Sequence, residues 1–169
     1  MWNDTDIPLA LLITFRAYGT WLHGDGRGSV DRHNNTYGSP RIAPIEHLEN
    51  ISRARLKHAP VKLEASHRRS IEAAIRETCE IRNWYLAAFN IRTNHVHIVA
   101  TVGDKQPDLV LTAFKANATR HMREDGLWPF DHSPWAEKGS KRRLWNERHV
   151  TAAVDYVLFG QGDDLPKFD

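Results

Sequence analysis

Two short apolar runs joined by three polar residues constrain this chain more than any other feature. WYLAAFNI, residues 84–91, and HVHIVATV, residues 95–102, are separated only by Arg92, Thr93 and Asn94. Runs of that length, rich in β-branched and aromatic residues, predict strands, and so short a connection predicts an antiparallel hairpin. The second run also alternates. Successive side chains on a strand point to opposite faces. Val96, Ile98, Ala100 and Val102 are therefore expected to enter a core beneath a helix. His95 and His97 project together from the other face, which is expected to be open.

Helical periodicity brackets the hairpin. Over Leu63–Asn83, Ile71, Ile75 and Cys79 recur every four residues among charged neighbours, which predicts an amphipathic helix. Pro107 suits a first helical turn. Val110, Ala113, Phe114, Asn117 and Ala118 form the inner stripe of a second helix running to Asp125, with Gly126 just beyond it. Leu9–Tyr18 reads as a first strand and Arg143–Asn146 as a last one. Glu147–Phe159 reads as a third helix, with Val150, Val154, Val157 and Leu158 on its apolar side and Gly160 and Gly162 ending it. Residues 19–44 are dense in Gly, Asp and Asn and predict a long loop; a short helix is expected over Ile45–His58, stopped by Pro60. The stretch 19–62 is thus a loop and short-helix insertion between the first strand and the first main helix.

The first six elements match a split βαβ order. The expected fold is α+β: a ferredoxin-like antiparallel sheet with helices on one face, plus a C-terminal helix carrying a tyrosine, in a single domain over residues 1–169.

Charge says little in bulk, because 23 Lys and Arg against 21 Asp and Glu leave a net +2. Local clusters say more. Arg53–Lys62, His67–Arg69 and Lys138–Arg143 could follow a phosphate backbone or simply face solvent. A single cysteine, Cys79, rules out an intrachain disulfide and falls on the apolar helical stripe, so a packed core thiol is expected. The apolar run Ile7–Phe15 is too short to span a bilayer. A cytoplasmic protein with no membrane partner is the expectation.

Two imidazoles about 6–7 Å apart along one strand face can converge on a divalent metal if further donors join them. The alternative is a hydrogen-bonded pair without metal, and spacing alone leaves both readings open. Tyr156 lies off the apolar stripe of its helix, beside Ala152 and Asp155. That position suits an exposed nucleophile, and equally a ring packed at a helix edge with a wet hydroxyl.

Four segments carry a resemblance: TFRAYGTWLHGDGRGSVDR at 14–32, TNHVHIV at 93–99, FKANATRHMRE at 114–124 and YVLFGQG at 156–162. Together they resemble the HUH single-tyrosine transposases, including the REP-associated tyrosine transposases, over most of the chain. The resemblance implies a metal-dependent single-stranded DNA endonuclease and strand transferase. His95 and His97 would hold Mg2+ or Mn2+, and Tyr156 would attack a phosphodiester to give a 5′-phosphotyrosine and a free 3′-hydroxyl. In such enzymes a glutamine one turn after the tyrosine completes the metal shell. This sequence departs from that pattern, with Gly160 four residues on and Gln161 five. On an ideal helix Gln161 would sit ~140° from Tyr156, so its role as third ligand requires a frayed helix end.

The implied substrate is single-stranded DNA with a hairpin, REP-like or at an element end. Aromatic stacking with a cationic track is the general recipe for gripping a single strand. Candidate contacts are Lys115 and Arg120 on the second helix, Lys141, Arg142 and Arg143 before the last strand, and Arg27 and Trp21 in the Gly-rich loop. The resemblance admits a homodimer that exchanges tyrosine helices and a monomer that keeps its own. Two other functions remain open: a catalytically silent nucleic-acid-binding relative, and a metal-dependent phosphodiesterase that uses water.

Overall fold

The structure, a computed structural model, describes residues 6–20 and 56–167. The chain divides into two compact units, one of Met1–Ala17 with Lys62–Asp169 and one of Tyr18–Val61. In the larger unit the elements run β1 (Ala10–Arg16), α1 (Ala65–Arg82), β2 (Tyr85–Ile91), β3 (His95–Thr101), α2 (Pro107–Glu124), β4 (Ser140–Leu144) and α3 (Glu147–Phe159). The strands form one sheet in the order β2-β3-β1-β4, and every neighbouring pair is antiparallel. This is the expected ferredoxin-like arrangement, with the hairpin at one side and β1 inserted between β3 and β4.

Local chemistry sets the helix ends. Glu64 and His67 form a reciprocal capping box at the start of α1, and Asn83 closes it in the left-handed region. Pro107 occupies the first turn of α2. The Asn146 side chain accepts the His149 backbone N–H at 2.9 Å and starts α3.

Alternation then divides the sheet into two faces. Leu11, Ile13 and Phe15 of β1 and Val96, Ile98 and Ala100 of β3 are all buried, as are Ile71, Ala74, Ile75, Val110, Phe114 and Ala118 of α1 and α2. These helices pack on each other and cover that face. Cys79 belongs to this core, and burial pushes its thiol up to about 11.

The opposite face departs from expectation. It is not open, because α3 lies across it. Ala10, Leu12, Ala88, Val99 and Leu144 form a cluster with Ala153 and Val157 of α3. Small residues on the sheet let the helix approach closely. The apolar side of α3 is accordingly shifted from the expected one: Ala153 is buried and Leu158 is 46% exposed. Asn90 adds a tie, its side-chain amide donating to the Val157 carbonyl at 2.9 Å. A bulge between Leu86 and Ala88 sets the register that brings Asn90 opposite His97.

Strand β4 begins at Ser140 rather than Arg143. It can start there because Gly139 lies against Thr14: a Cβ on residue 139 would stand 2.7 Å from the Thr14 carbonyl oxygen. Tyr85 is 70% exposed on the edge strand β2.

In the smaller unit the Val61 N–H donates to the Tyr18 carbonyl at 2.8 Å, and the Lys57 N–H to the Tyr18 hydroxyl at 3.1 Å. The expected loop over 19–44, apart from residues 19 and 20, lies outside the described residues, as do Trp21 and Arg27. So does most of the expected short helix, whose last residues, 56–58, are not helical. Among the described residues no helix is long and apolar enough to cross a membrane.

Candidate active site

Strand β3 starts with His95 and places His97 one pleat further along the same face. Their ring centroids are 4.7 Å apart, edge to face. Antiparallel register sets Arg16 opposite His95 and Thr14 opposite His97. Thr14 Oγ1 is hydrogen-bonded to His97 Nδ1 at 2.7 Å. Asn94 Oδ1 lies 2.6 Å from His95 Nδ1; an amide oxygen only accepts, so His95 Nδ1–H donates.

Helix α3 brings Tyr156 over this pair. The tyrosine ring meets the His97 ring at 5.4 Å, edge to face, and remains 50% exposed. After Gly160 the chain leaves the helical path, and Gln161 folds back. Its amide nitrogen donates to the Tyr156 carbonyl at 3.1 Å, which turns its Oε1 toward His95 Nε2, 3.1 Å away. Gly162, at φ +86°, turns the chain again, and Arg92 donates to the Asp163 carbonyl at 2.9 Å. Arg68 and Arg69 of α1 hold the Pro166 and Lys167 carbonyls. Backbone contacts from three arginines therefore fix the tail that carries Gln161.

Two features of this cluster ask for a cation. His97 is 4% exposed, and its Nε2 has no hydrogen-bond partner among the described residues. A buried polar atom in that state is costly in a native fold. In addition, a neutral His95 whose Nδ1–H is directed to Asn94 presents an Nε2 lone pair to Gln161 Oε1, acceptor against acceptor. A divalent ion bound by those two atoms and His97 Nε2 would relieve both problems. Among the described residues no group of three His, Cys, Asp or Glu side chains converges; the third donor here is an amide oxygen. Burial is the main reason that the His97 pKa falls from 6.5 to about 4; the charge of His95 adds to the fall and Gln161 opposes it. The ring is thus neutral at physiological pH, the state a metal ligand needs.

The sequence-predicted basic residues scatter. Lys115 donates to the Ala136 and Lys138 carbonyls, both at 2.9 Å, and burial lowers its pKa; it ties a loop to α2. Arg120 pairs with Glu77 of α1 and Glu124, and the Glu77 carboxyl falls to about 2 through hydrogen bonds from Asn117 and His121. Those contacts join α1 to α2. On β4, Lys141 and Arg143 stand opposite Ile13 and Leu11 on the α1/α2 face, where Lys141 pairs with Asp108. Arg142 stands opposite Leu12 and shares the histidine face.

Thr14 and Arg16 were not singled out by the sequence. The available signal was their alternation with Ile13 and Phe15 in a strand that is otherwise apolar.

The sequence profile of a transposase family described as IS200-like matches residues 54–157, a span that holds His95, His97 and Tyr156. A solved REP-associated tyrosine transposase bound to a REP hairpin is similar in fold, with TM-score 0.52 and 13% identity over 93% of this chain and 69% of that one. A candidate transposase from Deinococcus radiodurans gives TM-score 0.45 and 12% identity over 97% of this chain and 98% of that one. Among proteins with curated descriptions, none matches this chain by sequence.

Proposed function

The chain belongs to the IS200-like transposase family, and from that premise we propose that it nicks and rejoins single-stranded DNA beside a hairpin through a 5′-phosphotyrosine intermediate. The observation that carries this reading is the meeting of a half-exposed tyrosine ring with the buried member of a histidine pair, 5.4 Å between centroids. Both residues lie on one chain, Tyr156 on α3 and His97 on β3.

Tyr156 is the nucleophile. Its Oη forms a bond to phosphorus as the bond to the 3′ oxygen breaks. The electron pair leaves on that oxygen, which takes a proton to become a free 3′-hydroxyl, and the phenol proton passes to water. The phosphotyrosine keeps one phosphodiester in place of another, so a second 3′-hydroxyl can reverse the step without ATP. A phenol titrates near ~10, so the attack depends on the site stabilising the developing charge. His95 Nε2, His97 Nε2 and Gln161 Oε1 are the atoms that would hold a magnesium or manganese ion, and such an ion, when bound, polarises the phosphate. His97 holds the tyrosine ring by its edge contact. Arg142, on the same face of the sheet, supplies positive charge for the backbone of the strand. The hairpin is assigned to the substrate because a fold relative was solved with one.

The test is incubation with a single-stranded hairpin DNA and manganese or magnesium, followed by a denaturing gel. Wild-type protein should give a denaturation-resistant adduct, and Tyr156→Phe none. A mobility shift without cleavage would instead mark a silent binding relative, and cleavage that survives Tyr156→Phe a phosphodiesterase that uses water.

A further inference from the structure

We propose that Thr14 and Asn94 are positioning residues that hold His97 and His95 in one tautomer, with hydrogen on Nδ1, so that both Nε2 lone pairs and Gln161 Oε1 face one point. The inference rests on the metal reading above and goes beyond it, because it concerns how the ligand set is prepared before any ion arrives.

Geometry supplies the case. Each imidazole has an oxygen at its Nδ1 and none of these oxygens belongs to the ligand set: Thr14 Oγ1 at 2.7 Å from His97 and Asn94 Oδ1 at 2.6 Å from His95. Asn94 Oδ1 can only accept, which places the His95 hydrogen on Nδ1. For His97 the hydroxyl could act either way, and the surroundings of Nε2 decide. That atom is buried and without a partner among the described residues. A hydrogen there would have to share Gln161 Oε1, the oxygen that already faces His95 Nε2 at 3.1 Å, whereas a hydrogen on Nδ1 meets Thr14 Oγ1 at 2.7 Å. The hydrogen therefore sits on Nδ1 and is donated to Thr14.

Neither oxygen is placed by chance of rotamer. Thr14 is β-branched, stiff at χ1, and stands directly across the ladder from His97. The Asn94 backbone is held by its carbonyl, which accepts the Ala17 N–H at 2.9 Å, and its side chain by the bond to His95. Ligating histidines characteristically donate their second N–H to an oxygen, and loss of that oxygen typically costs about 10–100-fold in metal affinity. Thr14 fills that role from β1 and Asn94 from the turn that leads into β3.

Two readouts test the proposal. Nitrogen-15 NMR of the metal-free protein near pH 7.5 should show both rings protonated at Nδ1. In Thr14→Val the His97 preference should weaken or reverse, and Thr14→Ser should restore it. Manganese titration should show Thr14→Val weakened about ten-fold or more, with Thr14→Ser near wild type and Asn94→Ala weakened likewise. A wild-type His97 protonated at Nε2, or a Thr14→Val variant with unchanged tautomer and unchanged manganese affinity, overturns the proposal. If wild-type protein shows both Nδ1–H tautomers yet takes up no manganese, the metal reading fails while the positioning roles stand.

Discussion

The buried imidazole of His97 makes a quantitative demand on stability. Its pKa falls from 6.5 to about 4 in the fold, chiefly through burial and then through the charge of His95. Between those values the unfolded chain binds a proton that the folded chain does not, so stability must rise with pH across that window. The contribution is present above about 6.5 and is lost as pH falls toward 4. At ~1.4 kcal/mol per pH unit, the full span corresponds to roughly 3 kcal/mol. The assay is urea unfolding in EDTA, at intervals from pH 4 to 7.5, on wild type and His97→Asn. Asparagine keeps a polar group for Thr14 and removes the titration, and the remaining histidines largely cancel in the difference. The stability difference between the two proteins should change by about 3 kcal/mol across the series, with wild type losing more as pH drops. Parallel curves would refute the burial argument, and with it the claim that α3 seals this face of the sheet.

Lys115 and Arg142 should respond in different ways. Lys115→Met leaves the Ala136 and Lys138 carbonyls without their charged donor and should cost about 2 kcal/mol in chemical denaturation, with single-strand affinity unchanged. Arg142→Ala should reduce the salt dependence of single-strand binding by about 0.7 in log–log slope, one phosphate contact. Lys141→Ala, whose parent side chain pairs with Asp108 on the other face, should not change that slope.

The hairpin and the two main helices were legible because their patterns are periodic and dense. Alternation through Val96, Ile98 and Ala100 predicts a strand, and the Ile71, Ile75, Cys79 spacing predicts a helix. Strand β4 was misplaced for the opposite reason. Ser140, Lys141, Arg142 and Arg143 are all exposed and only Leu144 is buried, so an edge strand made of charged residues carries no apolar signal. The cover by α3 was hidden too, because three of the seven buried residues in its cluster are Ala10, Ala88 and Ala153, and alanine carries little apolar signal. Counting apolar residues favoured Leu158, which faces water.

At the site, alternation put the histidine pair on one strand face and periodicity put Tyr156 off the apolar stripe of its helix, but it was the family resemblance that singled them out. Gln161 could not be placed by helix geometry. The chain leaves the helix at Gly160, and an angle calculated for an ideal helix no longer applies. The basic residues show the limit of counting charge. Lys115 and Arg120 were chosen by charge alone, and the structure gives each a task that charge does not reveal, one tying a loop and the other joining two helices. Only strand register separates Arg142 from its neighbours.

The most direct test of the central claim is the identity of the atom that carries DNA. Trypsin should release residues 149–167 as one peptide containing Tyr156 and no other tyrosine. After reaction with hairpin DNA and nuclease trimming, mass spectrometry should find that peptide heavier by the 5′-phosphorylated nucleotide remnant, with the fragment ions placing it on Tyr156. A remnant on Tyr18, Tyr37 or Tyr85, or cleaved DNA with no peptide modified, would contradict the account.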